Sequence, residues 1–198
     1  CIRDRSGEFF RDPENLVKTV ILQNEQWSTA ITGIKPQYFN GNQLEYRYDE
    51  YTRFEGGNEY LFFDTKDIRI TGSNVGSVEL NRLYESYLNT NFLRRGYPYS
   101  FNTDINGDFF IRTIEGTEDE ATEADYSWVH FSLSAPKFLE DQEVYIYGKF
   151  NNYELSDENK MYYNPGLEIY EGVMLLKQGI YNYKYCLLYT SPSPRDAT

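Results

Sequence analysis

Cysteine and histidine are scarce in this 198-residue chain, which has two of the first and one of the second. Both cysteines, Cys1 and Cys186, lie in terminal segments that we interpret below as cloning scars, so the remaining chain has none. That absence excludes a disulfide framework, a thiolate metal site and a cysteine nucleophile. The chain also lacks any run of 18 apolar residues, so the sequence predicts no membrane-spanning helix.

The single histidine, His130, limits the chemistry further. A zinc site here would need carboxylates for its other ligands, and Ser-His-Asp catalysis would need this residue without a Gly-x-Ser-x-Gly motif beside it. We therefore predict that His130 is a packed or surface residue, and that the protein is no enzyme and carries no metal or cofactor. A glycosidase needs only two facing carboxylates, and the sequence alone leaves such a pair open.

The two ends of the chain are related as an inverted repeat at the DNA level. Cys1–Asp4 can be encoded by DNA whose reverse complement, extended by one base, reads through Cys186–Thr190. This repeat resembles the mosaic end of a transposon-based sequencing adapter, and Ser191–Asp196 resembles translated adapter as well. We therefore expect residues 1–5 and 186–198 to be adapter scar, and the segment between them to be an internal fragment of a longer protein.

Basic residues are few relative to acidic ones. Removing the scars takes three arginines from 19 basic residues and two aspartates from 31 acidic ones, which leaves 16 and 29, a net charge of −13. Such an acidic surface argues against nucleic acid, whose phosphates favour clustered Lys and Arg. It also argues against docking on anionic lipid, so we predict no direct membrane insertion.

Aromatic residues are abundant, with 20 Tyr and 13 Phe, and side chains of this kind favour β structure. Alternation with a period of two recurs along the chain, as in residues 43–49, 126–132 and 169–176. Residues 115–125 have no large apolar side chain, and six of the eleven are acidic, which indicates a solvated stretch. We therefore predict an all-β protein of two consecutive antiparallel immunoglobulin-like β-sandwich units.

The acidic stretch sets the predicted domain boundaries. We expect a first sandwich over residues 6–116, a linker over 117–125 and a second sandwich over 126–185. The second unit offers about 60 residues, whereas a sandwich of this kind uses about 100. We therefore expect the second unit to be truncated.

Two turns attract attention for their chemistry. Asp104–Asp108 resembles the start of a calcium loop, but its glycine is fourth rather than sixth, so we predict a tight hairpin turn at Asn106-Gly107 instead. Gly56-Gly57 suits a bulge or a close backbone approach. Asp64 and Arg69 are expected to pair across a turn as a charge-assisted hydrogen bond.

Several blocks in order then resemble one family. They are Val20–Asn24 with Trp27, Ala30–Gln37, Gly56–Tyr60 with Phe63-Asp64 and Ile68-Arg69, Asp104–Phe109, Ala124–Leu133, Val144–Asn152 and Leu175–Tyr185. Together they are similar to the first domain, and part of the next, of the plug protein family of the type IX secretion system. The resemblance implies that eleven motif residues are structural: Gly56, Gly57, Asn58, Glu59, Asp64, Arg69, Asn106, Gly107, Gly148, Phe150 and Asn151.

The family resemblance implies a periplasmic β protein associated with the outer membrane, whose partner is the translocon channel that it blocks when no cargo is present. It implies gating without catalysis and transfers no channel-contacting residue. A second resemblance leaves an alternative open. Gly148–Tyr153 and Gly179–Tyr185 are also similar to glycogen-binding sandwiches, in which an aromatic residue stacks on sugar. Tyr153 occupies that position, where Trp is usual, so a glycan partner remains an alternative.

Overall fold

The computed structural model describes residues 16–40, 43–54, 56, 59–94, 104–116, 119–138 and 142–189. The predicted scar over residues 1–5, residues 190–198 of the predicted C-terminal scar, and the motif residues Gly57 and Asn58 lie outside these ranges. The chain divides into two compact units, residues 1–57 and residues 58–198.

The first unit consists of short paired strands. Strand β1 (Thr19–Ile21) pairs antiparallel with β2 (Ile31–Ile34), and β3 (Tyr38–Asn40) pairs antiparallel with β4 (Gln43–Glu45). The predicted alternation from residue 43 therefore forms a strand over only three residues. None of the described side chains between residues 16 and 54 is buried, so those residues contribute no buried core to this unit.

The second unit contains the long strands. They are β5 (Leu61–Asp64), β6 (Val75–Leu80), β7 (Tyr84–Leu88), β8 (Asn91–Phe92), β9 (Phe109–Ile111), β10 (Tyr126–Ser134), β11 (Gln142–Tyr147), β12 (Lys160–Asn164), β13 (Ile169–Lys177) and β14 (Gly179–Tyr189). Their order is β5-β14-β11-β12-β13-β10-β7-β6, with β8 beside β10 and β9 beside β14. Most neighbours are antiparallel, but β10 runs parallel to β7 and to β8.

The prediction of an all-β protein is confirmed, since strands dominate the described ranges, where helix α1 (Glu120–Glu123) is a single turn and two further turns are 3-10. No helix in the described ranges has the length and apolarity needed to cross a bilayer.

The acidic segment over residues 117–125 does not separate two compact units, although it was predicted to be a linker. Strand β7 before it pairs with β10 after it, and β5 and β9 pair with β14. The segment therefore connects strands of one sheet.

Strand β14 also continues past the predicted boundary of the C-terminal scar. Its residues Cys186–Tyr189 pair in register with Tyr145–Gln142 of β11. Backbone pairing of this kind is open to most sequences, because the ladder hydrogen bonds come from main-chain groups. The adapter origin of residues 186–198 stays a prediction.

The core of the second unit is built from aromatic rings on inward positions. Phe63 of β5 lies 5.1 Å from Tyr181, 5.6 Å from Phe131 and 5.8 Å from Tyr183, measured between ring centroids. All four side chains are almost fully buried. Burial raises the pKa of Tyr181 and of Tyr183 well above the usual value of a tyrosine. Because these rings come from β5, β10 and β14, the core unites distant parts of the sequence.

Candidate functional site

The outer side of the central strands carries an unusual set of exposed side chains. On β10 the residues alternate strictly, with Ser127, Val129 and Phe131 buried and the residues between them outward. The outward residues of β7, β10, β12 and β13 form what we call the outer sheet face: Tyr87, Tyr126, Trp128, His130, Tyr162, Val173 and Leu175.

The strand register places these side chains in rows. Trp128 lies opposite Leu175, and His130 lies opposite Val173, in the antiparallel ladder between β10 and β13. Trp128 is 39% exposed, Leu175 43% and Val173 42%, while Tyr126 is 48% exposed. Directly opposed side chains on one face are close enough to contact each other. The face therefore carries its aromatic and aliphatic residues in neighbouring rows, and the polar residues Glu85, Ser132 and Glu171 lie on the same side.

A polar cluster lies within this surface, around Glu85. The ring of His130 stacks on Tyr87 at 4.1 Å between centroids, and its Nε2 lies 3.0 Å from Oε2 of Glu85. Asn81 and Tyr87 donate hydrogen bonds to the same carboxylate, and those bonds lower the pKa of Glu85. The prediction of a packed or surface histidine agrees with this arrangement. These contacts fix the orientations of the His130 and Tyr87 rings on the β7 side of the outer sheet face.

The face continues into an open groove of about 590 Å³ at the β12 side. Its lining includes Tyr162, Val173 and Glu171 together with the loop residues Asp157 and Glu158. Tyr162 is 63% exposed and lies opposite Glu171 in the ladder. Lys160 also lines the groove, but its Nζ forms an ion pair with Glu143. The groove thus combines an aromatic floor with an acidic rim.

A second aromatic cluster surrounds Tyr153, the candidate for sugar stacking. Its ring lies 5.1 Å from that of Tyr147, and its hydroxyl donates to the carbonyl of Gly107 at 3.5 Å. Nearby, Nζ of Lys184 lies 3.9 Å above the ring of Tyr60. Tyr153 is only half-buried, so part of its surface remains available to a ligand.

The turn residues predicted from the motifs have clear structural roles. Asn106 and Gly107 both have positive φ, 57° and 82°, as a tight turn of this sequence requires. A Cβ on Gly107 would lie 2.6 Å from Cζ of Tyr60. Asn151 closes the 3-10 turn Lys149–Asn151 by accepting from the N–H of Gly148 and donating to the carbonyl of Ile146.

The remaining motif residues are less uniform. Phe150 packs edge-on against Tyr181, 5.6 Å between centroids, whereas Gly56 has open space around its Cα. Glu59 is half-buried. The predicted pairing of Asp64 with Arg69 is wrong, because the Asp64 carboxylate forms its ion pair with Arg112. The N–H of Arg69 donates to Asp67 instead.

The carboxylates of the calcium-like loop are held by the protein itself. Asp104 accepts from the N–H of Tyr60 and of Asn106, and Asp108 accepts from Lys149 at 3.0 Å. Within the described ranges, no three His, Cys, Asp or Glu side chains are grouped so that they would hold a metal ion. The loop geometry is that of a structural turn.

Sequence reasoning missed one residue of central importance, Asn182. This side chain is 2% exposed, and its Oδ1 accepts from the N–H of Ile105 at 2.7 Å and from that of Gly107 at 3.3 Å. Asn182 lies between the core residues Tyr181 and Tyr183, so alternation alone places it on the opposite face of β14, where the turn at Asn106-Gly107 covers it. The hydrogen bonds of this side chain matter there, because burial of a polar group without them is costly.

Comparison with solved structures shows a likeness over most of the chain. The crystal structure of a hypothetical protein from Parabacteroides merdae ATCC 43184 matches 90% of this chain with a TM-score of 0.75 and 34% sequence identity. The chain spans 45% of the length of that protein. No protein-family model matches the chain, and no curated protein matches it. The fold described above is therefore shared with a larger protein.

Proposed function

We propose that this protein is a non-enzymatic docking component that gates the outer-membrane translocon of the type IX secretion system from the periplasmic side. The single observation that supports docking is the outer sheet face, where Trp128, Val173 and Leu175 present apolar surface to solvent. The assignment of the partner rests on the family resemblance of the ordered sequence blocks. The translocon channel protein is the proposed partner, and the outer membrane is the proposed location.

The physical argument for docking is the cost of the exposed face. Large contiguous apolar patches are uncommon on proteins that act alone and mark interaction sites. Trp and Tyr are enriched among the residues that dominate interface energies. The face carries both kinds: Trp128 and Tyr126 lie on the same side of β10, and Tyr87 is paired with His130 on β7. Ladders on both sides of β10 support them. A partner that covers this surface recovers the free energy of removing it from water.

The architecture in the proposal is that of immunoglobulin-like sandwich units. For residues 126–189 the support is the antiparallel pairing of β10 with β13, β13 with β12, β12 with β11 and β11 with β14. Phe63 and Leu88, which precede the acidic segment, contribute to the same core, so the proposed sandwich unit includes strands from both sides of that segment. The proposal includes no catalysis, because Asp104, Asp108 and Glu143 are engaged in holding loops and a lysine.

The proposal is tested by capturing the full-length protein from solubilised outer membranes. The wild type is expected to recover a very large barrel protein. Trp128→Ser is expected to reduce that recovery by about 30-fold, as the loss of a central interface aromatic costs about 2 kcal/mol. Leu167→Ser is the matched control, since Leu167 is 63% exposed in a turn outside the face.

Two results would contradict the proposal. Failure of the wild type to recover any large barrel protein would remove the secretion-channel partner. Equal recovery by Trp128→Ser and Leu167→Ser would remove the outer sheet face as the docking surface. Circular dichroism of both variants shows whether each keeps the β fold, so that misfolding is not read as lost docking.

The alternative function is carbohydrate binding at Tyr153, favoured by the half-exposed ring beside Tyr147. Aromatic rings of this kind stack on sugars through their apolar faces. Calorimetric titration with maltooligosaccharides is expected to give binding that Tyr153→Ala abolishes and Tyr189→Ala preserves, if this function holds. No heat change with the wild type would exclude it.

A further inference from the structure

We infer that the partner of the outer sheet face is a polypeptide segment whose apolar side chains are flanked by Lys or Arg, with one cationic side chain received by the groove beside Tyr162. The inference rests on the docking function proposed above and adds the chemistry of the partner. It follows from where the acidic residues lie relative to the apolar rows.

The side of the face formed by β6 and β7 carries two carboxylates in direct opposition. Glu79 of β6 is paired in register with Glu85 of β7, and like charges at directly opposed positions destabilise a sheet. Glu85 lies in turn beside Trp128 in the parallel ladder. Asn81, Tyr87 and His130 already hold the Glu85 carboxylate, whereas Glu79 is exposed at the edge of the sheet. This side of the face therefore presents acidic charge to a partner, and a cationic side chain of the partner would meet it there.

The other side of the face ends in the groove. Asp157, Glu158 and Glu171 line it, and Lys160 is already paired with Glu143. The ring of Tyr162 provides an exposed aromatic surface between these carboxylates. A Lys or Arg side chain fits both features, because a cation is attracted to an aromatic face as well as to carboxylates. About 590 Å³ of open space accommodates such a side chain with its flanking backbone.

Between these two acidic sides lie the apolar pair Trp128–Leu175 and the apolar side chain of Val173, which is opposite His130. The order across the sheet is thus acidic, apolar, acidic. Lys177, a basic residue at the end of the face, has its Nζ 5.3 Å from the ring of Tyr126 and bonded to the carbonyl of Ala121. A complementary segment has the order basic, apolar, basic. The net charge of −12 for the whole chain favours its approach over long range.

The test uses two synthetic peptides with the same centre of alternating Val and Thr, one flanked by Lys at both ends and the other by Glu. The chain carries Trp27→Phe, so that Trp128 is its remaining tryptophan, and binding is followed by tryptophan fluorescence. The Lys-flanked peptide is expected to bind about tenfold tighter or more, from ion pairs worth a few tenths of a kcal/mol to 1 kcal/mol each. The difference is expected to shrink as salt is raised.

Neutralising the groove gives the decisive variant, with Asp157→Asn, Glu158→Gln and Glu171→Gln combined. These changes keep the hydrogen-bond acceptors, including the one that Glu171 offers to Asn164. The matched control combines Glu115→Gln, Asp119→Asn and Glu120→Gln, which removes the same charge from the acidic connection. The groove variant is expected to lose most of the preference for the Lys-flanked peptide, and the control is expected to keep it.

Equal binding of the two peptides, or no binding of either, would overturn the inferred chemistry. So would an equal loss of preference in the groove variant and the control, since that result would trace the preference to net charge alone. These peptide results are independent of the capture experiment, which measures separately whether the protein binds the channel protein. If capture depends on Trp128 while the peptides are not distinguished, the docking function stands and the basic partner is rejected.

Discussion

Replacing Asn182 with alanine isolates the energy of one buried side chain. The Asn182 amide oxygen accepts the N–H groups of Ile105 and Gly107, and the residue itself is 2% exposed. Alanine leaves both donors without that acceptor. Each buried donor left unsatisfied costs about 1–3 kcal/mol, and the longer bond of Gly107 contributes least, so we expect a total loss of about 2–4 kcal/mol in the free energy of unfolding.

The assay is urea unfolding followed by circular dichroism, with hydrogen exchange as a local readout. The slope of the free energy against urea should stay unchanged if only stability is altered. The N–H groups of Ile105 and Gly107 should exchange faster in the variant. Asn81→Ala is the control, because Asn81 is exposed and its side chain donates a single hydrogen bond, to Glu85; surface changes of this kind cost about 0.5 kcal/mol.

The reasoning is refuted if Asn182→Ala costs no more than Asn81→Ala. A loss within about 0.5 kcal/mol would mean that water satisfies the two donors or that the loop moves at little cost. A large loss with unchanged exchange at residues 105 and 107 would place the energy in packing against neighbouring rings instead. Either result would remove Asn182 as the residue that holds the Asn106-Gly107 turn.

Three further predictions follow from the same core and turn. Gly107→Ala should lower the free energy of unfolding by about 1–3 kcal/mol, because φ is 82° and the added Cβ would meet Tyr60; Gly56→Ala, with open space around it, should be nearly neutral in the same urea assay. Phe63→Ala should cost about 3–5 kcal/mol, and Phe110→Ala, exposed by 53%, should cost far less; similar losses would contradict the assigned core. Because burial raises the folded-state pKa of Tyr181 and Tyr183 above the ordinary value of 10.0, their contribution to stability is complete below pH 10 and is lost as the pH rises further. Thermal unfolding measured between about pH 8 and 11 should therefore decline more steeply for the wild type than for Tyr181→Phe with Tyr183→Phe, and parallel curves would refute it.

The sequence predicted strands well where alternation ran without interruption. Residues 169–176 were expected as a strand, and β13 covers Ile169–Lys177. Between residues 77 and 88, by contrast, β6 and β7 form a hairpin through Asn81 to Leu83. That turn contains neither Gly nor Pro, so the strongest turn signals are absent. Residues 68–70 form a turn and a bend, and the Asp67 carboxylate accepts from the N–H of Arg69.

Sequence patterns did not predict which strands are neighbours in the sheet. Alternation assigns side chains to one of two faces, but it does not state which strands lie side by side. The acidic composition of residues 115–125 indicated a solvated connection correctly, since Glu115 and Glu123 are exposed. Composition cannot distinguish a linker between domains from a crossing between strands of one sheet. The pairing of β7 with β10 decides in favour of the second.

The outer sheet face is visible in the sequence as an exception to the usual alternation of apolar and polar residues along a strand. In β10 the inward residues Val129 and Phe131 are apolar, and so are the outward residues Tyr126 and Trp128. A half-exposed strand normally carries polar residues on its solvent side. Apolar residues on both sides therefore indicate that something covers the second side. Charge placement across the sheet, in contrast, depends on register and required the structure.

Strand β14 has a consequence for how the chain reaches its native state. It pairs with β5, β9 and β11. The ladders of these three earlier strands with β14 therefore form only after residues 179–189 have been synthesised. During synthesis these segments leave the ribosome with unfilled hydrogen-bonding edges. Late closure of such distant pairs slows folding and prolongs the exposure of aggregation-prone intermediates, so a nascent chain of this kind benefits from chaperones until β14 emerges.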